Sequence, residues 1–320
     1  MWVYGLGLAR SNQRSTILVC GADRAAAQAW GLKPDPRFLK QPKAFWAHVR
    51  SISQAVGYTV RGAGEIKVPS RIEILAAMAE LGLKSDHLFS HGEHTPLGGL
   101  LMDYFTYRAK ALNEVVRPNL MDKDSAKALF EEVHARLDYK GDIPMNKQKA
   151  EKKAPAFLTG LVQMLVSESI GQHPCNFDPR HLTSVTVNGL PIRTLARRVD
   201  GAFPSVINPV AIWEIKEYYY TTTFGSRVAD GVYETLLDGM ELEELQASEK
   251  IEVKHYLFLD DRYTWWDCGR SYLCRIVDMM HMGYVDEAIF GREVVTAIPR
   301  ITKDWLEKLA AKTEPTPPTA

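Results

Sequence analysis

The amino-acid sequence predicts an α/β (α+β) protein: a mainly helical N-terminal domain, then a domain with a mixed central sheet flanked by helices. Three observations carry this. In the first 140 residues apolar side chains recur at helical spacing, as Phe45, Val49 and Ile52 do. From Pro155 the pattern changes to short β-branched segments separated by turn signals. A chain of 320 residues also exceeds the size at which one hydrophobic core usually stops growing, so two domains are expected.

Residues 22–57 read as two helical pieces broken by Pro34 and Pro36, the second running from Lys43 to Val56. The glycine-rich GYTVRGAGEIKVPS reads as a hairpin or loop. Ser70 is placed to cap a helix with Ile72, Leu75 and Ala79 as its apolar stripe, Gly82 ends it, and Ser85 can start another short one. Further helices are expected from Leu97 to Val115 and from an Asp122 or Asp124 cap to about Leu137. The lysine-rich stretch 138–154 reads as a domain boundary or exposed connection. The second half opens with the apolar helix APAFLTGLVQMLVSESI. Strands LTSVTVNGL and PIRTLARRVDGAF follow, joined by the hairpin signal Asn188-Gly189, and then a strand in VINPVAIWEIKEYYY. A long helix from Ser226 to Gln246, the strand HYLFLDD and the helix SYLCRIVDMMHMGYV complete the outline. The division is 1–140, 141–304, and a partly disordered proline-rich tail over 305–320.

Lys plus Arg and Asp plus Glu both number 39, so no overall charge advertises a nucleic-acid partner, and any such contact must rest on a local basic face. The four cysteines form no CxxC pair and read as reduced thiols. No signal peptide and no run of roughly 18 apolar residues is visible, so a soluble cytoplasmic protein is expected.

The chemistry is expected at Asp200-Gly201 and Glu214-Ile215-Lys216. Side chains alternate along a strand, so Glu214 and Lys216 share one face while Ala211, Trp213 and Ile215 suit a buried one. If the two strands pair, Asp200 and Glu214 come within reach of one hard cation. Mg²⁺ suits such a set, because it takes few carboxylate oxygens, keeps waters and completes its shell with substrate phosphate. It lowers the pKa of bound water, and Lys216 beside it can orient the nucleophile and stabilise the transition state. Arg197 and Arg198 precede Asp200 and can touch phosphates.

These residues resemble the active-site motif of the PD-(D/E)xK nuclease superfamily, especially type II restriction endonucleases. Asp200, Glu214 and Lys216 match its three positions, and the resemblance covers roughly residues 155–295. Val199 stands where many members carry proline. A second ExK, Glu65-Ile66-Lys67, follows glycines and lacks an upstream strand-ending aspartate. The resemblance implies that Glu168 is a further acidic residue of the site. It also implies a Mg²⁺-dependent endonuclease cutting duplex DNA at a specific sequence. A homodimer and a separately encoded companion DNA methyltransferase would go with that. Two alternatives stand beside it: a repair, recombination or other anti-phage nuclease on the same core, and a DNA-binding or assembly module that does not cut.

Two further patterns have weaker chemical content. His87 and His91 sit four apart beside Glu93 and His94, a spacing that can bind zinc on a helix. PSRIEILAAMAELGLKSDHL has the outline of a DNA-reading helix pair.

Overall fold

A computed structural model describes residues 32–60, 62–148, 151–220 and 225–313. The first helical piece expected from residue 22 lies almost wholly outside them. The helical portion begins with α1 (Lys43–Val56), which buries Phe45, Trp46, Val49 and Ile52, the stripe its spacing predicts. The following loop closes through a bridge between Thr59 and Ile66.

Helix α2 (Arg71–Glu80) starts with a capping box: Ser70 Oγ accepts from the Glu73 amide, and the Glu73 carboxylate accepts from the Ser70 amide. Gly82, with φ of 66°, takes the left-handed conformation just past its end. Its buried face is Ile74, Ala77 and Met78, so the predicted stripe is wrong by rotation: Ile72 is 80% exposed and Ala79 is exposed. Ser85 opens a turn rather than a helix, and two short strands follow, β1 (Phe89–Ser90) and β2 (Glu93–His94). Helix α3 (Pro96–Lys110) is capped by Thr95 and runs on through a π-helical stretch, Ala111–Val116, to a last turn at Arg117–Asn119. Helix α4 (Lys123–Leu137) is capped by Asp122, whose carboxylate accepts from the Ser125 amide at 2.8 Å.

Strands β3 (Met145–Gln148) and β4 (Glu151–Pro155) pair within the stretch expected to be an exposed connection. Helix α5 (Phe157–Ile170) follows and buries nine side chains or glycines around its circumference, as its apolar sequence requires. Strands β5 (Asn176–Phe177), β8 (Gly201–Phe203) and β9 (Ala211–Glu217) then build one side of the sheet. Between β5 and β8 a separate hairpin, β6 (Ser184–Val187) with β7 (Leu190–Thr194), turns at Asn188-Gly189, both at positive φ. Helix α6 (Ser226–Glu249) crosses over to β10 (Lys254–Asp260). A π-helical stretch, Tyr263–Cys268, leads into α7 (Arg270–Met282), then β11 (Glu287–Phe290) and α8 (Val294–Thr313).

The sheet order is β11-β10-β9-β8-β5. Strands β9, β10 and β11 are parallel, and β8 and β5 run antiparallel to their neighbours, so the sheet is mixed as the sequence predicts. Parallel strands are covered on both faces. One face (Trp213, Tyr256, Phe258, Ile289) packs against α4, α5 and α8, with the Trp213 and Trp305 rings stacked 5.3 Å apart. The other (Leu257, Leu259, Ala288, Phe290) packs against α6 and α7 and also against Leu112, Val116 and Leu120 from the end of α3. Residues on both sides of position 140 therefore share one core.

The two portions are also tied by polar contacts. Arg108 of α3, 1% exposed, holds Asp278 of α7 through Nη1 at 3.0 and 3.2 Å and donates from Nη2 to Ser53 Oγ of α1 at 2.9 Å. Tyr104 donates to the same carboxylate at 2.6 Å. The predicted tail over 305–320 needs correcting: residues up to Thr313 belong to α8, and Trp305 is fully buried. The rest of the predicted tail lies outside the described residues.

Candidate active site

Asp200, Glu214 and Lys216 meet at the junction of β8 and β9. Gly201 pairs with Trp213 and Ala202 with Ile212, so Asp200 comes level with Glu214 across the ladder. The Asp200 amide donates to Trp213 O at 3.1 Å, and its Oδ2 accepts from the Ile215 amide at 2.7 Å, between the two other site residues. The glycine after Asp200 has a steric reason. A Cβ at Gly201 would sit 2.0 Å from the Trp213 indole, so only glycine lets β8 lie this close to β9.

Glu214 and Lys216 point toward α6. Glu214 is fully buried and Lys216 is 8% exposed. Lys216 Nζ lies 2.8 Å from Glu214 Oε2 and 3.2 Å from Glu234 Oε2. Its stem passes under Gly231 of α6, where a Cβ would lie 3.2 Å from Lys216 Cδ, so the glycine makes room for the side chain.

Arg197 closes the group, with Nη1 2.9 Å from Glu214 Oε1 and 2.6 Å from Asp238 Oδ2, and Nη2 3.2 Å from Glu234 Oε2. Three carboxylates (Glu214, Glu234, Asp238) thus pair with two cations, and Asp200 lies near enough to feel the Glu214 and Lys216 charges. Two carboxylate oxygens, Glu214 Oε1 and Asp238 Oδ1, are buried without a hydrogen bond, and Glu214 Oε1 has the Arg197 guanidinium 2.9 Å away as its ion-pair partner.

The electrostatics follow from burial and from this excess of negative charge. Burial, then the Glu214 charge, raises the Asp200 carboxyl to about 6. The same two causes, in the same order, raise Asp238 to about 7. Burial also works against an ionised Glu214, but Lys216 and Arg197 outweigh it and hold this carboxyl below its ordinary value. Burial disfavours the Lys216 ammonium, yet Glu214 and Asp200 more than offset it, so the lysine stays charged.

Two expected assignments are corrected by the geometry. Glu168 is exposed and does not line the cavity of about 530 Å³ that Asp200 borders on the α5 side; Gln163, Asp178 and Arg180 do. Arg197 is not available to phosphates, because its guanidinium is held by three carboxylates. Arg198 beside it is exposed.

Glu234 and Asp238 were not expected. They lie four residues apart on α6, and a carboxylate at 238 falls on the helix's buried stripe of Val228, Val232, Thr235 and Leu242, which is the signal that could have found it.

The other patterns form no site. Lys67 of the second ExK pairs with Glu73 at 2.5 Å, and Glu65 is exposed. His87 contacts His48 at 2.7 Å, and His91 occupies a left-handed turn and not a helix face. Among the described residues no group of three or more His, Cys, Asp and Glu is gathered to hold a metal ion.

Residues 121–305 match a family described as a domain of unknown function, DUF7687. The chain belongs to that family. The match runs from the start of α4 into α8 and contains every residue of the cluster. Residues 32–115 match a second domain of unknown function, DUF7690, which takes in α1 to α3. No curated protein and no solved structure matches the chain. No described helix is long and apolar enough to cross a membrane.

Proposed function

We propose that the protein is a Mg²⁺-dependent deoxyribonuclease that hydrolyses phosphodiester bonds of duplex DNA, with Asp200, Glu214 and Lys216 as its active-site residues. The observation that carries this reading is the hydrogen bond from the Ile215 amide to Asp200, which fixes one carboxylate against a strand that presents a second carboxylate and an ammonium side by side.

The donor set fits a hard cation. Asp200 and Glu214 offer carboxylate oxygens in a cluster with more negative than positive groups, and Glu214 Oε1 is buried with the Arg197 guanidinium as its ion-pair partner. Two protein ligands are what Mg²⁺ commonly takes, so the lack of a three-carboxylate cage does not count against it. Asp200 and Glu214 would hold the ion, which supplies charge neutralisation and a water of lowered pKa. Lys216, kept charged by Glu214, directs an N–H at negative charge building on the phosphoryl oxygens. Glu234 and Gly231 fix where that ammonium points.

Restriction of duplex DNA at a defined sequence, by a cytoplasmic homodimer with a companion methyltransferase, is the form of this activity favoured by the resemblance. The test is incubation of wild-type protein with plasmid DNA and Mg²⁺. Discrete fragments favour restriction, and a smear or a preference for ends favours a repair or anti-phage nuclease. DNA that is bound but left intact sinks the cutting reading. The rival is then a non-cleaving DNA-binding module, favoured by one observation: the Arg197 guanidinium occupies space beside Glu214 and Asp238 that a cation would contest.

A pH-dependent prediction follows. Asp200 and Asp238 have carboxyl pKa values above those of an unfolded chain, so the stability they contribute is full below about pH 4 and is lost as pH rises through about 6 and about 7. In EDTA the unfolding midpoint should fall between pH 5 and pH 8. Mg²⁺ should restore more of it at pH 8 than at pH 5, where a proton competes for Asp200. Thermal unfolding with and without Mg²⁺ reads this directly. A Mg²⁺ response equal at both pH values, or unchanged in Asp200→Asn, would count against cation binding at this carboxylate.

A further inference from the structure

A second polar cleft lies at the carboxyl ends of the parallel strands. It has a volume of about 360 Å³ and is lined by Arg117, Arg262 and Arg292 together with Asn113, Asp122 and Ser125. Arg262 follows β10 and Arg292 follows β11, while Lys216 sits near the same end of β9. Neighbouring strands are about 4.8 Å apart, so Arg262 and Arg292 rise side by side from the same end of the sheet. Carboxyl ends of parallel strands are where open α/β sheets generally bind ligands.

The charge is one-sided. None of the three guanidiniums forms an ion pair among the described residues. The single carboxylate of the cleft, Asp122, is already committed to the Ser125 amide. That hydrogen bond chiefly, and Arg262 to a lesser degree, hold Asp122 below its ordinary pKa. Arg117 lies over the Trp266 ring, its guanidinium carbon 5.4 Å from the centroid, which fixes its direction without neutralising it.

The segments that carry the arginines are locked together. Asp260 Oδ1 accepts from the Met121 amide at 2.8 Å, and the Arg262 amide donates to Met121 O at 2.8 Å. Glu293 accepts from Asn119 Nδ2 at 2.9 Å and from the Phe290 amide at 3.0 Å. Gly291, at φ of 52°, lets its backbone approach Asn119 O so closely that a Cβ would sit 2.1 Å from it. Three arginines from three chain segments are thus held at one place by contacts that do not use their charges.

We infer that Arg117, Arg262 and Arg292 form a phosphate-binding track for the backbone of duplex DNA at the carboxyl ends of β10 and β11. The inference rests on the nuclease reading for its ligand but not on cutting. It assigns to residues far away in sequence the phosphate contacts expected of Arg197, and leaves the exposed Arg198 available as well. Guanidiniums bind phosphate bidentately, and a track of this kind orients a duplex without reading its bases.

The test is binding of a fluorescent duplex in EDTA, measured by anisotropy over a range of NaCl concentrations. Each phosphate contact contributes about 0.9 to the slope of log K against log salt, so Arg117→Gln/Arg262→Gln/Arg292→Gln should be shallower than wild type by about 2.7. Between 50 and 200 mM salt the affinity advantage of wild type should therefore shrink by about 40-fold. Arg292→Gln alone should lose about 0.9, while Arg136→Gln, an exposed arginine at the far end of α4, should lose nothing. An unchanged slope in the triple variant, an equal loss in Arg136→Gln, or no binding by wild type overturns the inference. Calorimetric binding of inorganic tripolyphosphate to wild type but not to the triple variant, with no binding of duplex DNA, would assign the cleft to a small anion and overturn it too. Cleavage in Mg²⁺ with unchanged slopes would spare the nuclease reading and remove the track, and lost slopes without cleavage would do the reverse.

Discussion

Lys216→Ala is expected to slow Mg²⁺-dependent DNA cleavage by roughly a hundred- to a thousand-fold, the usual cost of losing one preorganised donor to transition-state charge. The ammonium is nearly buried, fixed at 2.8 Å from Glu214 and 3.2 Å from Glu234, and has no freedom to be replaced by a neighbouring cation. Arg197, the nearest candidate, is committed to Glu214, Glu234 and Asp238. The variant should still bind duplex DNA in EDTA, because the ground-state grip lies elsewhere. Glu214 then loses one of the two charges that keep it ionised, so the unfolding midpoint must be checked in parallel. Single-turnover cleavage by a folded Lys216→Ala protein at the wild-type rate would remove Lys216 from the chemistry.

The largest stability effect is expected at Asp278. Its carboxylate takes both Arg108 Nη1 contacts and the Tyr104 hydroxyl, all out of water. Asp278→Ala leaves a guanidinium without a counter-charge and a phenol without an acceptor, and breaking a buried pair in this way costs about 3–5 kcal/mol. The unfolding midpoint should drop by on the order of 10 °C for a chain of this size. Replacing both partners, as in Arg108→Met/Asp278→Leu, should recover much of the loss, because an apolar pair of similar volume carries no unpaired charge. Calorimetry of the single and double variants separates the outcomes. A single variant as stable as wild type, or a double variant worse than both singles, would show that this contact does not hold the two portions together.

How far the sequence could be read depended on whether the signal was local. Helices marked by a clean period, such as α1, or by a cap, such as the Asp122-capped α4, were legible to within a residue or two, because capping and periodicity act within one turn. The hairpin at Asn188-Gly189 was legible for the same reason. The face of α2 was not. Its apolar residues are spread around the helix, and only the neighbours packed against Ile74 and Met78 decide which side is buried.

Strand β11 is four buried residues without alternation, and α8 contains Pro299, which reads as a stop. Burial of Ile298, Ile301 and Trp305 outweighs that proline. At the site, spacing and alternation placed Asp200, Glu214 and Lys216 near one another. Glu234 and Asp238 reach Arg197, and Arg262 and Arg292 reach Arg117, only through tertiary packing, so no window of sequence contains either group whole.

The Arg108–Asp278 contact also has a mechanical meaning. Apolar surfaces tolerate sliding, since one methyl group replaces another at little cost. A guanidinium held by a carboxylate on one helix and a serine on another has a single seat, and a shift of one helical turn would empty it. One side chain of α3 thus sets α1 and α7 in register at the same time, and the seat works as a key between the helical portion and the helix that covers the sheet.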